Sequence, residues 1–228
     1  MSNLIPTIPA SNAEKEGVIK FKLEFNAAPP PELARTAELT VWRQILHRLG
    51  LTGRDSSRYH GLAYGNVSLR TGPRQFVISG TQTGGKSMLS PVDYCAVLDF
   101  DLAKNWVLAE GPIEPSSEAL THGAIYAGNQ DIMCALHVHS PTLWHHSKRL
   151  GLLETDAAIA YGTPALAQAV GQLVQNRPLG IISMRGHEDG VIAFAETIAQ
   201  AGMELVNGLA KAEELGILAA AKPVKQPG

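Results

Sequence analysis

Apolar positions along the chain recur at a spacing of two in some stretches and three to four in others, which divides the sequence into alternating short strands and helices. In VIKFKLEF, residues 18–25, Phe21, Leu23 and Phe25 alternate with Lys20, Lys22 and Glu24, the signature of an edge strand. APPPE then breaks the chain and sets Pro31 ahead of a helix expected over 32–49. Its core-facing stripe is read as Leu33, Ala37, Val41, Ile45 and Leu49, with Gly50 as its stop. GNVSLRTGPRQFVISG gives two strands, Val67 to Arg70 and Gln75 to Ser79, across a Gly-Pro turn. TQTGGKS is a glycine-rich loop, YCAVLDFD a strand, and a short helix follows Pro115. IMCALHVH reads as a strand. PTLWHHSKRL and GTPALAQAVGQLV read as helices with Pro141 and Pro164 at their starts and Thr163 as an N-cap. LGIISMRG and GVIAFA are paired buried strands, and residues 195–215 form a closing helix. The alternation predicts one α/β domain over 32–218, preceded by a loose arm (1–31) and followed by a frayed tail (219–228).

Composition narrows the function classes. The chain has 228 residues, 45% hydrophobic and 18% charged, enough for one substantial core. A formal charge of -2 provides no electrostatic footprint for nucleic acid or an anionic membrane. No apolar run approaches the ~20 residues of a membrane span, and the first residues lack the basic and apolar blocks of a secretory signal. Cys95 and Cys134 lie in apolar strands and read as reduced core residues, which points to the cytoplasm.

The chemistry concentrates in PSSEALTHGAIYAGNQDIMCALHVHS, residues 115–140. On a strand His137 and His139 share one face about 7 Å apart, with Val138 opposite. Two imidazoles on an apolar strand suit a metal that takes neutral nitrogen ligands; satisfied core histidines are the other reading of an HxH taken alone. SMRGHEDG adds His187 at a glycine-flanked turn, where a third ligand can be presented, and Glu118 is expected in the first turn of the helix that precedes the HxH strand. Three imidazoles with an open position make a catalytic rather than a closed structural zinc site.

Anion-binding elements accompany these. The helix start after Pro115, with the hydroxyls of Ser116 and Ser117, is an anion seat. Gly65 with Asn66, and Ser79 with Gly80, are loop elements able to donate further hydrogen bonds. GTQTGGKS does not have P-loop spacing, which excludes that nucleotide-binding mode.

GNVS, SG before a glycine-rich loop, PSSE, HVHS and a single histidine turn before the last strand follow one another in an order that resembles the class II aldolase/adducin family, over about residues 33–215. That family includes L-fuculose-phosphate aldolase and L-ribulose-phosphate 4-epimerase. The resemblance implies a three-layer α/β/α fold with a central, mostly antiparallel sheet, and a homotetramer with active sites between subunits. It implies a divalent metal on His137, His139 and His187, which is zinc in the aldolases, with Mn2+, Co2+ or Fe2+ as other occupants. Glu118 is then the acid/base that also approaches the metal when substrate is absent. Gly65, Asn66, Ser79, Gly80, Ser116 and Ser117 hold a substrate phosphate, and Tyr161 stands in for a substrate-facing tyrosine. Three departures mark this chain: GHEDG replaces the family's HHG or NHG, the segment between His139 and GTPALAQAV, where the substrate-facing tyrosine lies, is shorter than in the fuculose enzyme, and SGTQTGGKS is longer than the usual phosphate loop, which brings Lys86 into consideration.

A metal on three neutral imidazoles can chelate the oxygens of a ketose or keto acid and stabilise the enediolate left by cleavage of the adjacent C–C bond. The resemblance, rather than this chemistry, implies aldol cleavage of a small, phosphorylated sugar or sugar acid. Decarboxylation, epimerisation and dehydration use the same enolate, and a non-enzymatic adducin-like module is the alternative outside enzymology. Among the remaining candidates, His122 is read as a surface or packing residue, His145 and His146 as exposed or subunit-contacting, and Arg185 as a salt-bridge partner or an anion contact.

Overall fold

The strand that carries His137 and His139 lies inside a nine-stranded sheet. The structure, a computed structural model, describes residues 18–221; residues 1–17 and 222–228, and with them much of the expected arm and tail, lie outside the described residues. In chain order the elements are β1 (Lys22–Ala27), α1 (Leu33–Arg48), β2 (Gly53–Arg54), β3 (Ala63–Tyr64), β4 (Asn66–Gly72), β5 (Gln75–Ser79), β6 (Tyr94–Asp101) and β7 (Trp106–Gly111). There follow α2 (Ala119–Gly128), β8 (Cys134–His139), α3 (Pro141–Leu150), β9 (Leu153–Glu154), α4 (Pro164–Leu173), β10 (Gly180–Ser183), β11 (Gly190–Ala195) and α5 (Ile198–Ala220).

The sheet order is β1-β7-β6-β5-β4-β8-β11-β10-β9, and β2 pairs separately with β3. The two outermost pairings, β1 with β7 and β9 with β10, are parallel. Every pairing between them is antiparallel. β8 is flanked on both sides, with His137 opposite Asn66 on β4 and opposite Ile192 on β11.

Two apolar clusters fill the faces of this sheet, and strand alternation sorts them. Ala135 faces the cluster built with α2 and α4, whereas Cys134, Leu136 and Val138 face the one built with α1, α3 and α5. His137 and His139 share the parity of Ala135 and so emerge on the α2 side. Helix ends follow local chemistry: the hydroxyls of Ser140 and Thr163 accept the amides of Leu143 and Leu166 at 3.2 Å, and Thr197 with Gln200 forms a capping box at α5.

Two expectations are corrected. The stripe assigned to α1 is not its core face: Leu33, Val41 and Leu49 are exposed, and Thr36, Leu39, Arg43 and Leu46 are buried instead. Arg43 is drawn inward because its guanidinium donates to the carbonyls of Thr83 (3.0 Å), Gly84 (2.5 Å) and Lys86, pinning the glycine-rich loop. The closing helix runs through Ala220, so it absorbs the first residues of the expected tail. Strands β2, β3, β7 and β9 carry too few residues, or too weak an alternation, to register in the sequence pattern.

Candidate metal centre

His137 is oriented by the sheet behind it. Its Nδ1 donates to the Val191 carbonyl at 3.1 Å, which turns Nε2 toward Glu118 Oε2 at 2.8 Å. His187 comes from the turn between β10 and β11, closed by its amide on the Met184 carbonyl (2.9 Å) and by the Gly190 amide on its own carbonyl (3.0 Å). Gly190 is required there: a Cβ would stand 2.7 Å from His187 Nδ1. His139 lies under Tyr59 and Tyr64, with ring centroids 4.5 and 5.3 Å away.

The three imidazoles, all buried, offer ring nitrogens within 4.8 Å of one another. Glu118, the N-cap residue of α2 rather than part of its first turn, brings Oε1 to 3.3 Å from His187 Nδ1, and Asn66 Nδ2 donates to its Oε2 at 2.8 Å. With the Nδ1 proton of His137 committed to Val191, a neutral His137 would leave a nitrogen lone pair and a carboxylate oxygen 2.8 Å apart. Such a contact needs a proton or a cation between or beside the two groups. Three imidazole nitrogens and a carboxylate are a donor set that a divalent metal accepts, so the residues fit the group that the sequence suggests. Burial opposes ionisation of Glu118, but His137 and His187 outweigh it and hold its carboxyl well below the usual carboxylate range.

His122, one turn further along α2, is fully buried, so of its two readings, surface or packing, the structure agrees with packing. Its Nδ1 and the Tyr126 hydroxyl each lie 2.6 Å from Ser68 Oγ. Burial lowers its pKa to about 3, so the ring is neutral near pH 7.

The expected anion-binding residues meet in one small cleft. Gly65, Asn66, Gly80, Ser116 and Ser117 line it together with Glu118, Tyr161 and residues 81–84. Gly65 has φ +81° and a Cβ there would meet Thr52 at 2.6 Å, so glycine alone lets the chain pass this close to β8. Ser79 is not part of the lining: its hydroxyl accepts the Val67 amide at 3.1 Å and its carbonyl accepts the Ser116 amide at 3.2 Å. The lining contains neither lysine nor arginine, and the Lys86 ammonium is paired with Asp93. The polar groups this lining offers are amides and hydroxyls and the Glu118 carboxylate.

Tyr161 joins the cleft to the metal ligands. Its hydroxyl is 2.8 Å from Ser117 Oγ and its ring centroid is 4.1 Å from that of His187. Lys20, from the stretch before β1, donates to the Tyr161 carbonyl at 2.9 Å and lies 4.9 Å from the ring centre. Sequence reasoning missed Lys20, and it missed the trio Arg58, Tyr59 and Asp189. Asp189 Oδ2 accepts Arg58 Nη2 and the Tyr59 hydroxyl, both at 2.7 Å. The only signal was the acidic excess of GHEDG. His145 is exposed, and Arg185 stacks on Trp144 (3.7 Å) with Glu154 3.9 Å away, away from the site.

The fold is shared with solved enzymes. An L-fuculose 1-phosphate aldolase superposes with a TM-score of 0.62 at 20% identity, covering 87% of this chain and 92% of the other. The L-fuculose-1-phosphate aldolase of Thermus thermophilus gives 0.59 at 21%, covering 85% and 100%. YgbL of Escherichia coli, assigned only to the group aldolase/epimerase/decarboxylase, gives 0.60 at 18%, covering 86% and 94%. No curated protein matches the chain in sequence. The profile of the Class II Aldolase and Adducin N-terminal domain matches residues 55–208, a span that contains the histidines, Glu118 and the cleft. The chain is a member of the class II aldolase and adducin family.

Proposed function

We propose that this chain is a divalent-metal-dependent aldehyde-lyase of carbohydrate metabolism, acting on a small phosphorylated sugar or sugar acid. The observation that supports it is the convergence of His137, His139 and His187 with Glu118, four buried side chains from three separate parts of the sequence. These imidazoles would hold zinc, or Mn2+, Co2+ or Fe2+ in its place. When bound, the ion supplies Lewis-acid stabilisation of negative charge on carbonyl and hydroxyl oxygens.

The residues divide the remaining work. Glu118, kept ionised and oriented by Asn66, takes or returns a proton at the carbon next to the substrate carbonyl. The Ser117 amide and the hydroxyls of Ser116 and Ser117 hold the phosphate, in the cleft that Gly65 and Gly80 also line. Tyr161, with its hydroxyl on Ser117 and its ring on His187, stands where it can pass a proton to a departing oxygen. Decarboxylation or epimerisation by the same residues is the second reading, favoured by the likeness to YgbL. A purely structural module has no use for a buried carboxylate among three imidazoles. Residues 32–218 are read as the catalytic domain, in a cytoplasmic homotetramer whose sites lie between subunits.

The test is a screen of phosphorylated and free ketoses and aldonic-acid derivatives with product analysis for aldehyde, carbon dioxide or epimer. Glu118→Gln is expected to lose at least about 100-fold in turnover while retaining metal; unchanged turnover removes Glu118 from the mechanism.

A further inference from the structure

A second cleft adjoins His187. It encloses about 590 Å³ and is lined by Arg58, Tyr59, His60, Tyr161, His187 and Glu188, among others. That volume suits a small organic ligand. Tyr161 is common to both clefts, and Glu118 lines the first and His187 the second, so a molecule bridging them reaches the metal centre at these two residues.

The wall opposite His187 is a strained piece of chain. Tyr59, His60 and Gly61 have φ of 48°, 57° and 72°, three consecutive residues in the left-handed region, two of them bulky. For the two non-glycine residues such backbone costs on the order of 1–3 kcal/mol each and persists only when its surroundings impose it. Here the surroundings are Asp189, which accepts Arg58 and Tyr59 together, and His139, against which the Tyr59 ring packs. The result is a guanidinium fixed over the Tyr59 ring, 4.7 Å from its centre, and separated from His139 by that one ring.

Arg58 commits only Nη2 to these contacts, one to Asp189 and one to the Tyr59 hydroxyl. Among the described residues nothing accepts from its Nε or Nη1, and its side chain is 34% exposed, in the cleft wall. A guanidinium held on one side and open on the other is a receptor for a planar anion. We infer that Arg58 binds a carboxylate, and that the substrate is a small hydroxy or keto acid whose oxygens reach the three imidazoles while its carboxylate reaches Arg58. This rests on the metal-centre reading above. A carboxylate is favoured over a phosphate because Asp189 already neutralises part of the guanidinium charge and Glu188 adds a second negative group to the cleft. A dianion would meet twice the repulsion of a monoanion there. The cleft that suits a phosphate is the other one, built of amides and hydroxyls.

The experiment titrates metal-loaded protein with a series of short 2-hydroxy and 2-keto acids, their carboxamides, and a sugar phosphate lacking a carboxylate, following heat of binding. Wild type is expected to bind at least one acid about 10–100-fold more tightly than its amide, the range of a charge-assisted pair. Arg58→Gln should erase that preference and leave the sugar phosphate within about twofold. Arg58→Lys, which keeps the charge and loses the fork, should retain part of it. Metal content is measured on each variant, so a misfolded turn is recognised by loss of metal, and Arg58→Lys then carries the comparison. A wild type that binds no acid of the series, or binds acids and amides alike, overturns the inference while leaving the metal centre standing. Equal weakening of acid and phosphate in Arg58→Gln also contradicts it. Wild type without stoichiometric metal refutes the metal centre instead.

Discussion

At the scale of single residues, small steric and protonation details decide what the site can do. Gly190→Ala places a methyl 2.7 Å from His187 Nδ1, at the strand position paired with His139. Metal affinity in a chelator competition should therefore fall by at least about 10-fold while the folded fraction at room temperature is unchanged; unaltered affinity means that His187 is not a ligand. His122 is neutral in the folded protein, and its folded pKa of about 3 lies below the unfolded value of ~6.5. The unfolded chain therefore binds more protons between those values, and stability falls as pH is lowered through that window. The contribution approaches ~1.4 kcal/mol per pH unit at its steepest. His122→Asn keeps a hydrogen-bonding group for Ser68 and should remove that slope from urea midpoints measured between about pH 6.5 and 4; an identical slope in the variant contradicts this origin.

At the scale of elements, the loop that follows β5 is held by charge and capping. Burial raises the Asp93 carboxyl, but bonds from Lys86 and Ser90 outweigh it and hold it below the usual range. Its contribution is therefore present above pH ~4 and lost as pH falls through the depressed folded value. Asp93→Asn should cost about 1 kcal/mol near neutral pH, with the difference from wild type vanishing in acid, as read from denaturation midpoints. The neighbouring elements show what a sequence can and cannot reveal. β8 was legible because period two puts His137 and His139 on one face whatever surrounds them. α1 was legible as a helix but not in its orientation. Leu33, Ala37, Val41, Ile45 and Leu49 recur every fourth residue and drift around the helix by about 40° per step. The buried set Thr36, Leu39, Arg43 and Leu46 has the spacing of one face but mixes in a threonine and an arginine. Arg43 is inside because three carbonyls of a distant loop wait for it, and no local pattern encodes that. The same holds for Arg58 with Asp189 and for Lys20 with Tyr161, pairs that meet only through the tertiary fold.

At the scale of the whole molecule, the sheet order gathers the site. β8, the β10–β11 turn, the start of β4 and the N-terminus of α2 meet at one end of the central strands, so a metal bound there would couple distant segments to the folded state. Saturating metal at about 100 times its Kd adds ~2.7 kcal/mol to folding, which for a chain of this size raises Tm by roughly 5–10 °C. Chelator-treated protein should melt lower by that amount and recover when the metal is restored; coincident melting curves would speak against a site formed only in the native fold. The most direct test of the centre itself is metal K-edge X-ray absorption on the purified protein with its metal content counted. Close to one divalent ion per chain is predicted, in a shell containing three imidazole nitrogens at about 2.0–2.1 Å and lost in His137→Ala/His139→Ala. Sulfur in the shell, or a full complement of metal surviving in the double variant, contradicts the account.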